Sequence, residues 1–135
     1  MFSLLAVLVA VGGLNAYVRL APIDVAAWDV ALNPRPAVLG AASAEVVVLP
    51  NAAYVDVAGL DLADLEARAL AWPRTQVLAR SRARITWVTR TAVWGFPDFT
   101  TAEAGPDGVT IYARAWYGTQ DYGVNAARLR AWVAP

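Results

Sequence analysis

The first constraint on the fold is an uncharged apolar segment at the N-terminus. "FSLLAVLVAVGGLNAYV" runs from Phe2 to Val18 without a charged side chain. A helix rises about 1.5 Å per residue, so this segment spans somewhat less than the roughly 30 Å hydrocarbon core of a bilayer. Extension to Ile23 covers the core if the side chain of Arg19 reaches towards the headgroups. We therefore predict a membrane anchor over residues 1–23.

A cleaved signal peptide and a buried core helix are the two alternatives for this segment. A signal peptide begins with basic residues and ends at a small-residue cleavage site. No basic residue precedes Arg19, and Ala10-Val11-Gly12 is a weak cleavage site. A retained single-pass anchor is therefore favoured. Arg19 and Arg35 follow the segment, and by the positive-inside rule they favour keeping that side in the cytoplasm.

The rest of the chain predicts a connector arm over residues 24–44 and a folded domain over residues 45–135. The arm is rich in Pro, Gly and Ala, and we expect Trp28 to dock it onto the domain. In the domain, Asp61 is placed to cap a helix that Pro73 ends. Four stretches after Pro73 alternate with a period of two and predict strands, and a shorter strand is expected at residues 53–57. A last helix follows Asn125.

These elements predict an α+β fold: an N-terminal transmembrane helix, then a small antiparallel sheet covered on one face by two helices. The same alternation separates the side chains of the strands into two sets. In the strand around residues 84–94, Ile85 and Trp87 share one face, and Arg84 and Arg90 share the other.

Missing residue types exclude most catalytic chemistry. The chain has no Cys and no His, and its 11 basic residues are all Arg. Thiol nucleophiles, Cys/His zinc sites, Ser-His-Asp triads and Schiff-base lysines are therefore excluded. Only carboxylate acid–base chemistry remains, for example at Asp98 and Asp121. We expect a protein that is not an enzyme and has no metal or cofactor.

The second face of the predicted sheet carries candidate contact residues for a partner or an anion: Arg90, Arg114, Trp94 and Trp116. Arginine and aromatic side chains on one surface suit protein contacts, lipid headgroups or small anions. The other interpretation is a solvated face whose arginines pair with neighbouring acids. The formal net charge is zero, which argues against nucleic acid as a partner.

The last helix raises a charge problem. If Asn125 caps it, Arg128 lies in its first turn, where the macrodipole favours an anion. Arg128 should therefore have an acidic partner, and Asp121 is the nearest candidate in the sequence. We predict that Asp121 and Arg128 clamp the preceding loop to the helix.

Most of the chain resembles the bacterial family designated domain of unknown function 1499, and "YVRLAP" at residues 17–22, followed by Trp28, is similar to the N-terminal segment of its membrane-anchored alphaproteobacterial members. The resemblance rests on "GFPD" and on the spaced pattern "YGTQDYGVNAAR", and most specifically covers residues 75–133. It implies a structural signature made of Gly95, Asp98, Gly118, Asp121, Gly123, Asn125 and Arg128. A Pro-Asn-Cys segment found in many members is absent from this chain. The resemblance implies no activity, and it places the domain on the periplasmic side of the inner membrane.

Two functions are compatible with these observations. The first is a non-enzymatic accessory subunit that docks on a larger inner-membrane complex, such as a respiratory or photosynthetic one. The second is a membrane-tethered binding module for a small anionic ligand or a lipid headgroup. The expected partners are the bilayer, through residues 1–23, and a larger membrane protein complex.

Overall fold

The computed structural model describes residues 2–135, with side chains from Ser3 onward. Six strands form one sheet with the order β1-β2-β6-β5-β4-β3, and all neighbouring strands are antiparallel. The predicted α+β fold is confirmed. In chain order the elements are α1 (Phe2–Leu20), α2 (Val25–Trp28), β1 (Val47–Leu49), β2 (Ala52–Ala58), α3 (Leu62–Ala71), β3 (Thr75–Arg80), β4 (Arg84–Arg90), β5 (Pro97–Gly105), β6 (Gly108–Ala115) and α4 (Val124–Val133).

The first face of the sheet packs against α3 and α4, as the alternating pattern predicts. Asp61 caps α3 by accepting a hydrogen bond from the Ala63 amide, 3.0 Å away. The core between sheet and helices is apolar, so its burial supplies the main stabilisation of the domain. Its largest fully buried side chains are Trp87, Trp132, Leu65, Ile111 and Leu129.

The second face of the sheet is not solvated, because the arm of residues 24–44 lies across it. Trp28 stacks on Phe99 of β5 with ring centroids 4.2 Å apart. Leu32 and Leu39 pack with Tyr54 of β2 in a second apolar cluster. The docking of Trp28 thus agrees with the expectation from the sequence. The interpretation of this face as a solvated surface is wrong.

Two ion pairs fasten the arm to the strands beneath it. Arg35 contacts Asp56 at 2.8 Å, and Asp29 contacts Arg84 at 3.0 Å. Asp56 also accepts hydrogen bonds from the Ser43 amide and the Thr110 hydroxyl. Burial alone would raise the pKa of Asp56, but these donors outweigh it and hold the pKa below its ordinary value.

Asp56→Asn is expected to lower the free energy of unfolding by about 1–3 kcal/mol, because it removes charge-assisted hydrogen bonds. The lowered pKa means that the folded state keeps Asp56 ionised more readily than the unfolded chain does. The contribution of ionised Asp56 to the free energy of unfolding is therefore present above a pH of about 4 and is lost as the pH falls through the pKa of Asp56 in the folded state. Hydrogen exchange of residues 24–44, measured from pH 6 to pH 3 and divided at each pH by the intrinsic rate of an unprotected amide, should show the protection of the arm falling on acidification.

The control for this prediction is Asp24→Asn, since Asp24 is an exposed arm residue whose side chain makes no cap hydrogen bond. It should leave the exchange of the arm and the unfolding energy almost unchanged. If Asp56→Asn and Asp24→Asn changed the hydrogen exchange of the arm equally, the Asp56 contacts would not be what holds the arm on the sheet.

Helix α1 is long and apolar enough to cross a membrane. Residues 3–14 are all exposed, whereas Val18, near the C-terminal end, is buried. A helix that is apolar all round and packs against nothing along most of its length is typical of a membrane span rather than of a soluble core. Only its last turns belong to the folded domain.

Candidate functional site

The four polar members of the predicted signature gather beneath the first turn of α4. Asp98 comes from β5, Asp121 from the preceding loop, and Asn125 and Arg128 from α4 itself. All four are buried. Arg128 donates from one terminal nitrogen to Asp98 Oδ2 at 2.8 Å and from the other to Asn125 Oδ1 at 2.7 Å. The sequence predicted that Asp121, Asn125 and Arg128 lie together, and the structure adds Asp98 from β5 to them.

The sequence predicted Asn125 as the N-cap of the last helix, and this prediction is wrong. The helix begins at Val124, and Gly123 caps it with a positive φ of 78°, a left-handed conformation that glycine adopts without strain. The side chain that caps the turn belongs to Asp121, which accepts from the amides of Gly123 at 2.9 Å and Asn125 at 3.2 Å. A carboxylate at the positive end of the helix is electrostatically favourable.

The predicted direct pair of Asp121 and Arg128 is also wrong. Arg128 points down to the sheet, and its carboxylate partner is Asp98. Asn125 links the two charges, because its amide nitrogen donates to Asp121 Oδ2 at 2.8 Å while its oxygen accepts from Arg128. The loop is therefore held to the helix indirectly, because Asn125 bonds to Asp121 of the loop and to Arg128 of α4. Sequence spacing revealed the need for an acid but not which strand residue faces α4.

The two carboxylates line an open cavity of about 220 Å³ between the β4–β5 loop and the β6–α4 loop. Burial raises the pKa of Asp98 above its ordinary value, and Asp121 raises it further, although Arg128 opposes both. Both oxygens of Asp121 are occupied by hydrogen bonds, and Asp98 is held by Arg128. This arrangement suits a structural clamp better than acid–base catalysis, which needs a carboxylate free to exchange protons with a substrate.

Metal binding has no support in the described part of the chain. Within residues 2–135, no cluster of three or more carboxylates could hold a metal ion. The two carboxylates at the cavity are committed to amides and to a guanidinium.

The arginines of the second sheet face bind atoms of the protein itself. Arg84 pairs with Asp29 and with Glu103, and Arg90 donates to the carbonyls of Val18 and Gly95. Arg114 is buried beneath the arm, donates to the carbonyl of Trp28, and lies over the ring of Tyr112. Burial lowers the pKa of Arg114 to about 10. Each of these three guanidinium groups donates to a different set of internal atoms.

Two candidate aromatic residues, Trp94 and Trp116, belong to a chain of rings at one end of the sheet. Trp94 stacks with Phe96, and Phe96 contacts Tyr117, at centroid distances of 6.2 and 5.0 Å. Trp116 contacts Tyr117 and the arm residue Trp28. Both tryptophans are half-buried. The buried part of each ring packs against the neighbouring aromatic side chains, and the remaining part is an apolar surface open to solvent. Gly118 lies in the exposed part of the same loop, with a φ of 83°.

The structure adds a contact between α1 and the domain that the sequence analysis missed. Asn15 donates to the carbonyl of Val93 at 2.6 Å, and Arg19 donates to the carbonyls of Ala92 and Val93. We call these contacts, together with the buried Val18, the helix joint. The available signal was the spacing of Asn15 and Arg19, which lie four residues apart on one face of an otherwise apolar helix.

Gly95 has a specific role in the helix joint. Its φ is 74°, and a Cβ atom there would lie 2.8 Å from two side-chain carbons of Arg19. A larger residue would therefore displace the Arg19 side chain as well as strain the loop. This glycine of the predicted signature therefore makes room for the Arg19 side chain of α1.

Comparison with known proteins adds no relative to this picture. No family model, curated protein or solved structure matches the chain. The resemblance to the domain of unknown function 1499 family therefore stays a prediction, and the assignment of function depends on the geometry of the helix joint, the buried clamp and the covered sheet face.

Proposed function

We propose that this chain is a single-pass protein of a bacterial inner membrane and a non-enzymatic accessory subunit of a larger membrane protein complex. The helix joint is the observation that carries the proposal. A domain that acted on free partners would need only a flexible linker to its anchor. Here the side chains of Asn15 and Arg19 donate to loop carbonyls instead, which supports a domain held in one orientation relative to the proposed span.

A fixed orientation is useful where a subunit must fit one position in an assembly. The exposed surface of α1 supplies an apolar contact surface within the bilayer, and the domain supplies a second contact surface beside it. Both surfaces can meet one partner only if the angle between them is held. Following the family resemblance, we propose that the domain lies on the periplasmic side.

The alternative function, binding of a small anion or headgroup through the arginine face, has weaker support. Arg84, Arg90 and Arg114 donate to carboxylates and carbonyls of the chain itself, and residues of the arm contact Arg84 and Arg114. An anion would have to compete with these internal partners and displace the arm. The six tryptophans are also used for packing: Trp87 and Trp132 are fully buried, and the other four are half-buried.

Affinity purification tests the proposed function. The full chain, tagged at its C-terminus, would be extracted from membranes of its native host in a mild detergent, and co-purifying proteins would be identified by mass spectrometry and native gel electrophoresis. We expect a defined membrane complex. A chain that migrates alone at the size set by its 14.4 kDa mass and detergent shell would contradict the proposal.

A loosened helix joint gives the matched comparison. The double variant Asn15→Ala, Arg19→Ala removes the contacts to Ala92 and Val93 but keeps the span apolar. It should remain in the membrane fraction yet recover several-fold less of the partner proteins. Arg82→Ala, at an exposed turn far from the joint, should recover them as the native chain does.

A further inference from the structure

The length of α1 limits how far the domain can stand from the bilayer. The helix has 19 residues and is therefore about 28 Å long, close to the roughly 30 Å of the hydrocarbon core. Its last turns, from Asn15 to Arg19, are already bound to the β4–β5 loop. If α1 spans the membrane, as in the proposed function, no helical length is left to hold this loop clear of the lipid.

The end of the sheet that carries the helix joint, which we call the joint end, consists of the β4–β5 loop (residues 91–96) and the β6–α4 loop (residues 116–123). The two loops adjoin, because β4, β5 and β6 are neighbours and Arg90, Pro97 and Ala115 lie near the same end of the sheet. The ring contacts of Phe96 with Trp94 and Tyr117 connect them.

The composition of the joint end suits a membrane interface. Its two loops contain one charged residue, Asp121, which is buried and hydrogen-bonded. Val93 is 72% exposed and Tyr122 is 92% exposed. Tyrosine and tryptophan are favoured at the level of the headgroups, where an apolar ring and a polar group are both accommodated.

The exposed charges near the joint end are the basic Arg19 and Arg74 and the acidic Asp24, which follows α1. Arg19 follows the apolar part of α1, and Arg74 is an exposed residue just before β3, the strand next to β4. Cationic side chains at this depth are attracted to anionic headgroups. The opposite end of the sheet is polar, with Arg82 and Asp107 in exposed turns. It lies roughly 27 Å away along β5, at about 3.4 Å per residue.

We infer that the joint end lies in the interfacial layer of the bilayer, with Val93 and Tyr122 in contact with lipid. The domain is then seated on the membrane by two elements, the spanning helix and these two loops. This inference depends on the proposed membrane span but not on the proposed partner complex.

The absence of cysteine from the sequence makes site-specific labelling direct. The variants Val93→Cys and Tyr122→Cys would be labelled with a nitroxide in the full chain, reconstituted into vesicles of phosphatidylcholine and phosphatidylglycerol without other proteins. Power-saturation electron paramagnetic resonance would then compare the access of oxygen, which concentrates in lipid, with that of a water-soluble nickel chelate. We expect both positions to show several-fold less access to nickel than Asp107→Cys and Arg82→Cys.

Leu8→Cys, in the middle of α1, separates the two ways in which the inference can fail. If Leu8 is protected from nickel but Val93 and Tyr122 are as accessible as Asp107, the span is retained and the inference is overturned. If Leu8 is also accessible, the membrane anchor and the inference both fail. A partner protein cannot produce the expected result, because the vesicles contain none.

Discussion

Replacing Arg128 by alanine is expected to lower the free energy of unfolding by about 3–5 kcal/mol, the usual cost of breaking a buried ion pair by removing one partner. The change leaves the Asp98 carboxylate buried without its cation and leaves Asn125 Oδ1 without its donor. Burial already raises the pKa of Asp98, and Arg128 opposes that rise, so the pKa of an unpaired Asp98 should rise further. Urea-induced unfolding of the full chain in detergent micelles, followed by circular dichroism, measures the loss.

Arg130→Ala is the matched control for Arg128, since Arg130 lies two residues further along α4 and is exposed. Its effect should stay within about 0.5 kcal/mol. The double variant Asp98→Ala, Arg128→Ala should cost less than the sum of the two single variants, because neither charge is then left without its partner. Additive losses would show that Asp98 and Arg128 are not coupled.

The sheet and the helices that cover its first face could be predicted from the sequence because their signals are local. Strand alternation assigns Ile85 and Trp87 to one face, and Asp61 followed by an apolar stripe marks the start of α3. Such patterns depend on residues a few positions apart. The short edge strand β1 was missed, since three residues carry too little periodicity to identify.

The partners of the charged residues could not be predicted, because they depend on contacts distant in the sequence. Arg128 and Asp98 lie 30 positions apart, and Arg84 and Asp29 lie 55 apart. Trp28 indicated that the arm docks on the domain, but nothing in the local sequence indicated that it would cover the second face of the sheet. Arg114 therefore looked like a surface residue, although the arm buries it.

The sequence named the residues of the candidate site, but it did not predict which of them are hydrogen-bonded to each other. The family resemblance placed Gly95 and Asp98 in one signature with residues of the last helix, but in the structure Asp98 contacts α4 whereas Gly95 faces Arg19 of α1. Their roles differ, since Gly95 belongs to the helix joint and Asp98 to the clamp under α4. Because the helix begins two residues earlier than expected, at Val124, Asn125 lies inside the first turn and links Asp121 to Arg128 instead of capping the helix.

Trp87→Ala is expected to have an effect as large as that of Arg128→Ala, about 3–5 kcal/mol, because it opens a large cavity in the core. Trp87 is fully buried and meets Trp132 edge to face, with centroids 5.6 Å apart and planes at 81°. The alanine variant loses the apolar burial and the ring pair together. Urea-induced unfolding gives the size of the loss, and a preserved slope with denaturant would show that the folded state stays compact.

Two further variants make the Trp87 prediction specific. Trp87→Phe should cost much less than Trp87→Ala, since a phenyl ring fills most of the site and removes an indole N–H that has no acceptor within residues 2–135. Trp94→Ala should also cost less, since Trp94 is half-buried at the joint end. If Trp94→Ala destabilised the chain as much as Trp87→Ala, the stability of the domain would depend on the joint end rather than on the core between the sheet and its two helices.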